Sequence, residues 1–344
     1  MTRVSRKVFR QLLAVIVLMV VVSLAGKASF FSNNSPSGTP PKPTPTGSLS
    51  LITEPSAGMA PVLNLINNAK SSVNLVMYEL EDSRVEQALA GAESRGVNVR
   101  VLLNEGYYGK PDKTNPNQNA YDYLQTHHVP VRWTPSYFAL THQKTLVVDG
   151  KTGVIMTFNL TPQYYASSRD FGVIDKDSRD VSAIETVFNA DWQDQKITAQ
   201  DGDALLWSPG AEAATINLIN QAKKSLKIYN EEMEDSKIVS ALDAAAMRGV
   251  NVEVVMTDSS EWQSNFTKLK NNGVHVRTFA ANAALYIHAK MVVVDNTSAF
   301  LGSENFSTTS LDRNRELGLI LSDKGVISRL NATFSGDYTT ATPY

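Results

Sequence analysis

The chain contains no cysteine. That excludes a disulfide framework, and it excludes an N-terminal cysteine that could carry a lipid. An excess of either charge is missing too. With 32 basic and 34 acidic side chains the net charge is −2, so no global positive field advertises a polyanionic partner. Histidine is scarce, with five in 344 residues, and a repeated histidine therefore carries information. Long apolar runs are also rare. One stands out, "LLAVIVLMVVVSLAG" at residues 12–26, and it falls short of the ~20 residues of a spanning helix.

What is present begins with that run. Arg3, Arg6, Lys7 and Arg10 precede it and Lys27 follows it. A basic start ahead of an apolar stretch with no polar face predicts an export signal over residues 1–30, either cleaved or kept as an anchor. Residues 31–48, rich in Pro, Ser and Thr, cannot bury enough apolar surface to order themselves and read as a linker. The expectation is an extracytoplasmic protein, secreted or tethered. The remainder, 49–344, has ample apolar material for a core.

That remainder is a repeated unit. Residues 63–103 align without a gap on 216–256, and 20 of the 41 positions are identical. "NLINNAKSS" answers "NLINQAKKS", "ELEDS" answers "EMEDS", and "RGVNVRV" answers "RGVNVEV". A unit of this length is too long for a solenoid repeat, so the chain is a duplicated domain with halves at 49–200 and 201–344. In each half, helical periods alternate with β-branched runs: a helix at 59–70, the strand "VNLVMYEL", a helix at 84–94, the strand "VNVRVLL", then a strand at 129–133. This alternation implies an α/β sandwich with a mostly parallel sheet. Asp82-Ser83 and Asp235-Ser236 read as helix N-caps, which leaves Glu79 and Glu232 as weak site candidates.

A second repeat carries chemistry. "THQKTLVVDG" at 141–150 and "IHAKMVVVDN" at 287–296 each hold a histidine, a lysine two residues on, and an aspartate five after that. Read as strands, they put His142 beside Lys144 and His288 beside Lys290 on one face, while Asp149 and Asp295 turn to the other. The aspartates are therefore structural. An ammonium beside an imidazole suits a phosphoryl group, with lysine neutralising oxygens while histidine attacks or moves a proton. Thr157 with Asn159, and Ser303 with Asn305, add matched donors for phosphate. Arg-Asp and Arg-Glu pairs follow, and Asp170 and Glu316 can fix an imidazole's tautomer. Neither motif has metal-ligand spacing, and no metal or cofactor is called for. His127, His128 and His275 have no counterpart in the other copy and read as structural.

These residues resemble the phospholipase D superfamily, marked by two HxKxxxxD motifs each followed by Ser or Thr and Asn. The resemblance covers 49–344. It implies a duplicated α/β/α sandwich with mixed sheets, two halves about a pseudo-twofold, and one active site at their junction. It further implies a phosphohistidine intermediate, with His142 as nucleophile and His288 as acid and then base. Each histidine would be oriented from the opposite half, His142 by Glu316 and His288 by Asp170. Thr157 departs from the usual residue of the first motif. An internal pseudo-dimer is expected to act as a monomer.

Fold and site give a reaction class, not a substrate. Export and near-neutral charge favour a phospholipid and a membrane surface, with hydrolysis or transfer of a phosphatidyl group. Tyr107, Tyr108, Trp133, Tyr137 and Phe138 sit where an interface belt could form. A metal-independent endonuclease acting on nucleic acid is the alternative. A cardiolipin-synthase-like transferase ranks below it, because only one apolar run is present, and an inactive binding module ranks last, since both motifs are intact.

Overall fold

The computed structural model describes residues 49–106, 115–200 and 202–344. The export segment, the linker, Tyr107 and Tyr108 lie outside the described residues, among which no helix is long and apolar enough to cross a membrane.

The first half runs β1 (Leu49–Glu54), α1 (Ala60–Asn68), β2 (Ser72–Met77), α2 (Ser83–Ser94), β3 (Asn98–Leu103), α3 (Gln118–Thr126), β4 (Val131–Trp133), β5 (Thr145–Val148), β6 (Thr152–Met156), α4 (Pro162–Tyr165), β7 (Ser168–Asp175) and α5 (Ser178–Trp192). Local signals set these boundaries. The Asp82 carboxylate accepts from the Arg84 N–H to start α2. Gly96 ends the same helix at φ 84, a conformation that glycine adopts without a Cβ penalty, and Gly249 repeats it at φ 86. The apolar face of α1 drives Val62 and Ile66 to zero exposure, worth ~1.5–3 kcal/mol for each side chain buried.

The second half repeats the plan: β8 (Leu205–Ser208), α6 (Ala211–Asn220), β9 (Ser225–Tyr229), α7 (Ser236–Met247), β10 (Asn251–Thr257), α8 (Gln263–Asn271), β11 (His275–Phe279), β12 (Tyr286–Ile287), β13 (Lys290–Val294), β14 (Ser298–Gly302), α9 (Thr308–Asp312), β15 (Glu316–Leu321), α10 (Lys324–Thr340) and β16 (Thr342–Pro343). The sheets have strand orders β1-β7-β6-β5-β2-β3-β4 and β16-β11-β10-β9-β13-β14-β15-β8. Strands β2, β3 and β4 are parallel, whereas β5, β6, β7 and β1 pair antiparallel. Each sheet is thus mixed rather than mostly parallel. The cause is the tight turn at Asp149-Gly150, both at positive φ, which folds β6 straight back on β5.

The motif aspartates hold these turns. Asp149 accepts backbone N–H bonds from Lys70 at 2.9 Å, Ser71 at 2.7 Å and Ser72 at 3.1 Å. Asp295 does the same for Lys223 at 3.0 Å, Lys224 at 2.7 Å and Ser225 at 2.8 Å. Both carboxylates are thus committed to the chain entering β2 and β9.

Among the described residues three large apolar clusters form the core, with a small fourth around Val76, Leu102 and Phe188. One lies under α1, α2 and α3, and a second under α6, α7 and α8. The third lies between the sheets, where Val181, Ile184 and Val187 of α5 meet Ile327, Leu330 and Phe334 of α10. Ion pairs cross this central layer reciprocally. Arg315 binds Asp191 of α5 at 2.9 and 3.0 Å, and Arg169 binds Asp337 of α10 at 2.6 and 3.0 Å.

Two outcomes check this framework. Asp191→Ala leaves the buried Arg315 guanidinium unpaired and should cost on the order of 3–5 kcal/mol in chemical denaturation; a loss too small to measure would show that the pair is not holding the halves. Asp149→Asn should lower the melting temperature while the folded fraction keeps its turnover, and a fully folded but inactive variant would place Asp149 in the chemistry instead.

Candidate active site

The two histidine motifs meet at the junction of the halves. His142 precedes β5 and His288 precedes β13, so neither belongs to the strand itself. The strand predicted over the whole motif is shorter because the backbone there turns to the opposite half. The His142 and Gln143 N–H groups both donate to the Arg315 carbonyl, at 2.9 and 3.0 Å. The His288 and Ala289 N–H groups donate to the Arg169 carbonyl at 3.3 and 2.9 Å, while β12 pairs with β7.

This crossing sets each imidazole against the other half's carboxylate. His142 Nδ1 lies 2.8 Å from Glu316 Oε2, and His288 Nδ1 lies 2.9 Å from Asp170 Oδ1. A carboxylate on Nδ1 fixes the tautomer and leaves Nε2 to act. The carboxylates are held in turn. Asn314 Nδ2 and the Ser310 hydroxyl donate to Glu316 Oε1 at 2.9 and 2.5 Å.

Lys144 and Lys290 are buried, and each ammonium curls back to its own histidine's carbonyl, at 2.5 and 2.6 Å. Burial, with the Lys290 charge nearby, lowers Lys144 to about 7. Burial pushes His142 down to about 4 against the pull of Glu316, so its imidazole is neutral at pH 7. Glu231 Oε2 sits 2.9 Å from Lys290 Nζ and 3.5 Å from His288 Nε2. Its burial acts to raise the carboxyl, but the Lys290 ammonium first, and then the His288 ring, hold it well below the usual carboxylate range.

One cavity of about 600 Å³ reaches both imidazoles, and Asn159 and Asn305 line it. Thr157 and Ser303 do not. The Thr157 hydroxyl donates to Asp170 at 2.5 Å and accepts from the Phe171 N–H, and the Ser303 hydroxyl bonds across to Leu317. Both are wholly buried, so these two positions brace the carboxylate strands instead of meeting phosphate. The expected aromatic belt is corrected as well. Trp133 stacks on Tyr121 with centroids 4.1 Å apart, and Phe138 lies under the Arg315 guanidinium at 4.2 Å. The Tyr137 hydroxyl donates to the Gln195 carbonyl at 3.1 Å. None of the three lines the cavity.

Sequence reasoning missed Tyr78, Glu54, Glu231 and Tyr286, all in the cavity wall. It sought residues matched between the copies, and positions 78 and 231 align but differ. Glu79 and Glu232 do reach the wall, while Asp82 and Asp235 cap helices as expected. The wall carries five carboxyl groups, from Glu54, Glu79, Asp170, Glu231 and Glu232, and no lysine or arginine. Burial raises Glu232 to about 7.

The chain is similar to known proteins. A family model described as "Cardiolipin synthase, PLD-like domain" matches residues 62–192 and 215–338. A cardiolipin synthase of Listeria monocytogenes serotype 4a is 23% identical over 79% of this chain, and the match spans 65% of that protein's length. The major cardiolipin synthase of Bacillus subtilis is 25% identical, over 86% of this chain and 69% of its own. Among solved structures, the phosphatidylserine synthase of Haemophilus influenzae has the same fold, with a TM-score of 0.71, 13% identity and 89% of each chain covered.

A neutral His142 predicts an unusual pH profile. A nucleophilic imidazole works above its pKa, so kcat/KM on a phosphodiester should hold down to pH 5 and fall only through about 4. The alkaline limb should begin near 7, where Lys144 releases its proton. An acid limb centred on an ordinary histidine value would overturn this assignment.

Proposed function

The chain belongs to the phospholipase D-like family described by that model, and from this premise we propose that it transfers a phosphatidyl group between alcohols on membrane phospholipids. Cardiolipin carries two phosphatidyl groups on one glycerol, so its synthesis needs transfer to a glycerol hydroxyl. The two cardiolipin synthases described above bring that chemistry ahead of simple hydrolysis, which is the same displacement with water as acceptor.

In this mechanism His142 Nε2 attacks phosphorus, and His288 Nε2 gives its proton to the departing headgroup oxygen. Asn159 and Asn305, which line the cavity, hold the phosphate oxygens, and the two buried lysines supply positive charge from behind the wall. The entering alcohol then gives its proton to His288 as the phosphorus–nitrogen bond breaks.

The composition of the cavity wall carries the choice of substrate. The lining itself carries five carboxyl groups and no lysine or arginine, and the two lysines are buried behind it. This wall suits a single phosphodiester better than a polyanionic strand, whose binding depends on neutralising many phosphates. Polar headgroups are compatible with such a wall. Tyr164 and Tyr286, half and 38% exposed at the cavity, suit the water–lipid boundary. Residues 1–30 would deliver this part to an extracytoplasmic membrane face.

The test uses the full chain on vesicles of phosphatidylglycerol, with single-stranded DNA in parallel. The expected products are free glycerol and a lipid with two phosphatidyl groups on one glycerol, with DNA intact. Phosphatidic acid alone would make the protein a hydrolase, and cut DNA with untouched lipid would overturn the reading.

A further inference from the structure

The duplication supplies an internal control, because corresponding positions in the two halves meet equivalent surroundings. Around the histidines most positions match in kind: His with His, Lys with Lys, Asn with Asn, Asp170 with Glu316. Positions 78 and 231 do not. Tyr78 stands edge-on to His142, with centroids 4.7 Å apart, and its ring lies 5.0 Å from Lys144 Nζ. Glu231 occupies that place against His288 and Lys290, and also meets Asn305 Nδ2 at 3.4 Å. The Tyr286 hydroxyl donates to its other oxygen at 3.0 Å. One histidine–lysine pair thus faces a neutral ring, and the other a carboxylate.

We propose that Glu231 divides the labour between the two histidines: its carboxylate keeps His288 in the proton-donating role, while Tyr78 in the matching place leaves His142 free to attack. Glu231 is a positioning residue here, and the inference rests on the phosphohistidine mechanism above. The charges around each imidazole support it. His288 has Asp170 from β7 on Nδ1 and Glu231 from the turn after β9 beside Nε2. Glu232 lies next along that turn, and Glu54 of β1 pairs with Asp170 across the strands. Its cationic neighbour is Lys290, which Glu231 itself binds. His142 has one carboxylate in contact, Glu316 on Nδ1, and feels Glu231 from farther off, with the charges of both Lys144 and Lys290 acting against its protonation. A carboxylate within ~4–6 Å favours the charged imidazolium, and nearby ammonium groups favour the neutral ring.

The steps balance on this assignment. In the first, the bond from phosphorus to the leaving oxygen breaks, a bond to His142 Nε2 forms, and the His288 proton moves to the leaving oxygen. In the second, the acceptor oxygen bonds phosphorus, its proton returns to His288, and the electron pair of the phosphorus–nitrogen bond returns to His142. Glu231 also shares Lys290 and Asn305 with the substrate phosphate, so its charge weakens ground-state binding even as it supports proton transfer.

Two variants of the full chain test this, each read with an alkyl phosphodiester and with a p-nitrophenyl phosphodiester whose leaving group needs no proton. Glu231→Gln keeps the shape and removes the charge. It should lower kcat on the alkyl ester by about a hundredfold, lower it far less on the p-nitrophenyl ester, and lower KM for both. Equal losses on both esters, or a raised KM, would mean a structural role and overturn the proposal. The exchange Tyr78→Glu with Glu231→Tyr should move the trapped phosphohistidine from the "THQK" peptide to the "IHAK" peptide, read by mass spectrometry. An adduct that stays on His142 in the folded double variant would also overturn it. If the double variant does not fold, the two-ester comparison decides alone. A wild-type protein with no adduct on either histidine would sink the covalent mechanism itself, a different failure from an adduct that ignores position 231.

Discussion

Two backbone carbonyls organise this molecule. Those of Arg169 and Arg315 each accept two N–H bonds from the opposite half's histidine segment, and the residue after each arginine is the carboxylate that meets that histidine. The arginine side chains extend the other way, into Asp337 and Asp191 on the long helices of the partner half. One dipeptide therefore ties together the sheet, the inter-sheet core and the catalytic imidazole. Its placement explains why the catalytic strands start late: the N–H groups just ahead of them are committed across the junction instead of along the ladder.

Much of this was legible in the residues. The duplication follows from "RGVNVRV" and "RGVNVEV", and the Asp149-Gly150 turn signal marks where β5 ends. Strand parity does not reach His142 and His288, which lie ahead of β5 and β13. The cross-half pairing of His142 with Glu316 came from family resemblance, since no local pattern reveals which carboxylate meets which ring. The sheet's mixed character comes from the resemblance and not from the pattern, because helix–strand alternation dominates the first hundred residues of each half and the hairpin that reverses direction is three residues of turn. Thr157 and Ser303 were misjudged for a plainer reason. Period-two alternation gives a face, and it cannot tell whether that face meets a cavity or the next buried strand. Glu231 was invisible to a search for matched residues.

Burial does the electrostatic sorting. A histidine, two lysines and several carboxylates share a small, poorly solvated space, where each charge is felt by the others far more than in water. The His142 ring yields its proton in that company, while Glu231 and Glu316 keep theirs off. Outside the cluster, His127 and His275 sit exposed at a helix end and a strand start.

The covalent link between the halves has a consequence for descent. Two separate identical chains meeting at this junction would present the same side chain at both of the places that Tyr78 and Glu231 now fill. Any substitution would strike both histidine neighbourhoods at once, and a change that helped one imidazole would be forced on its twin. Once the copies share a single polypeptide, each place can mutate independently. Joining the halves thus released the site from symmetry while the reciprocal arginine contacts preserved its architecture.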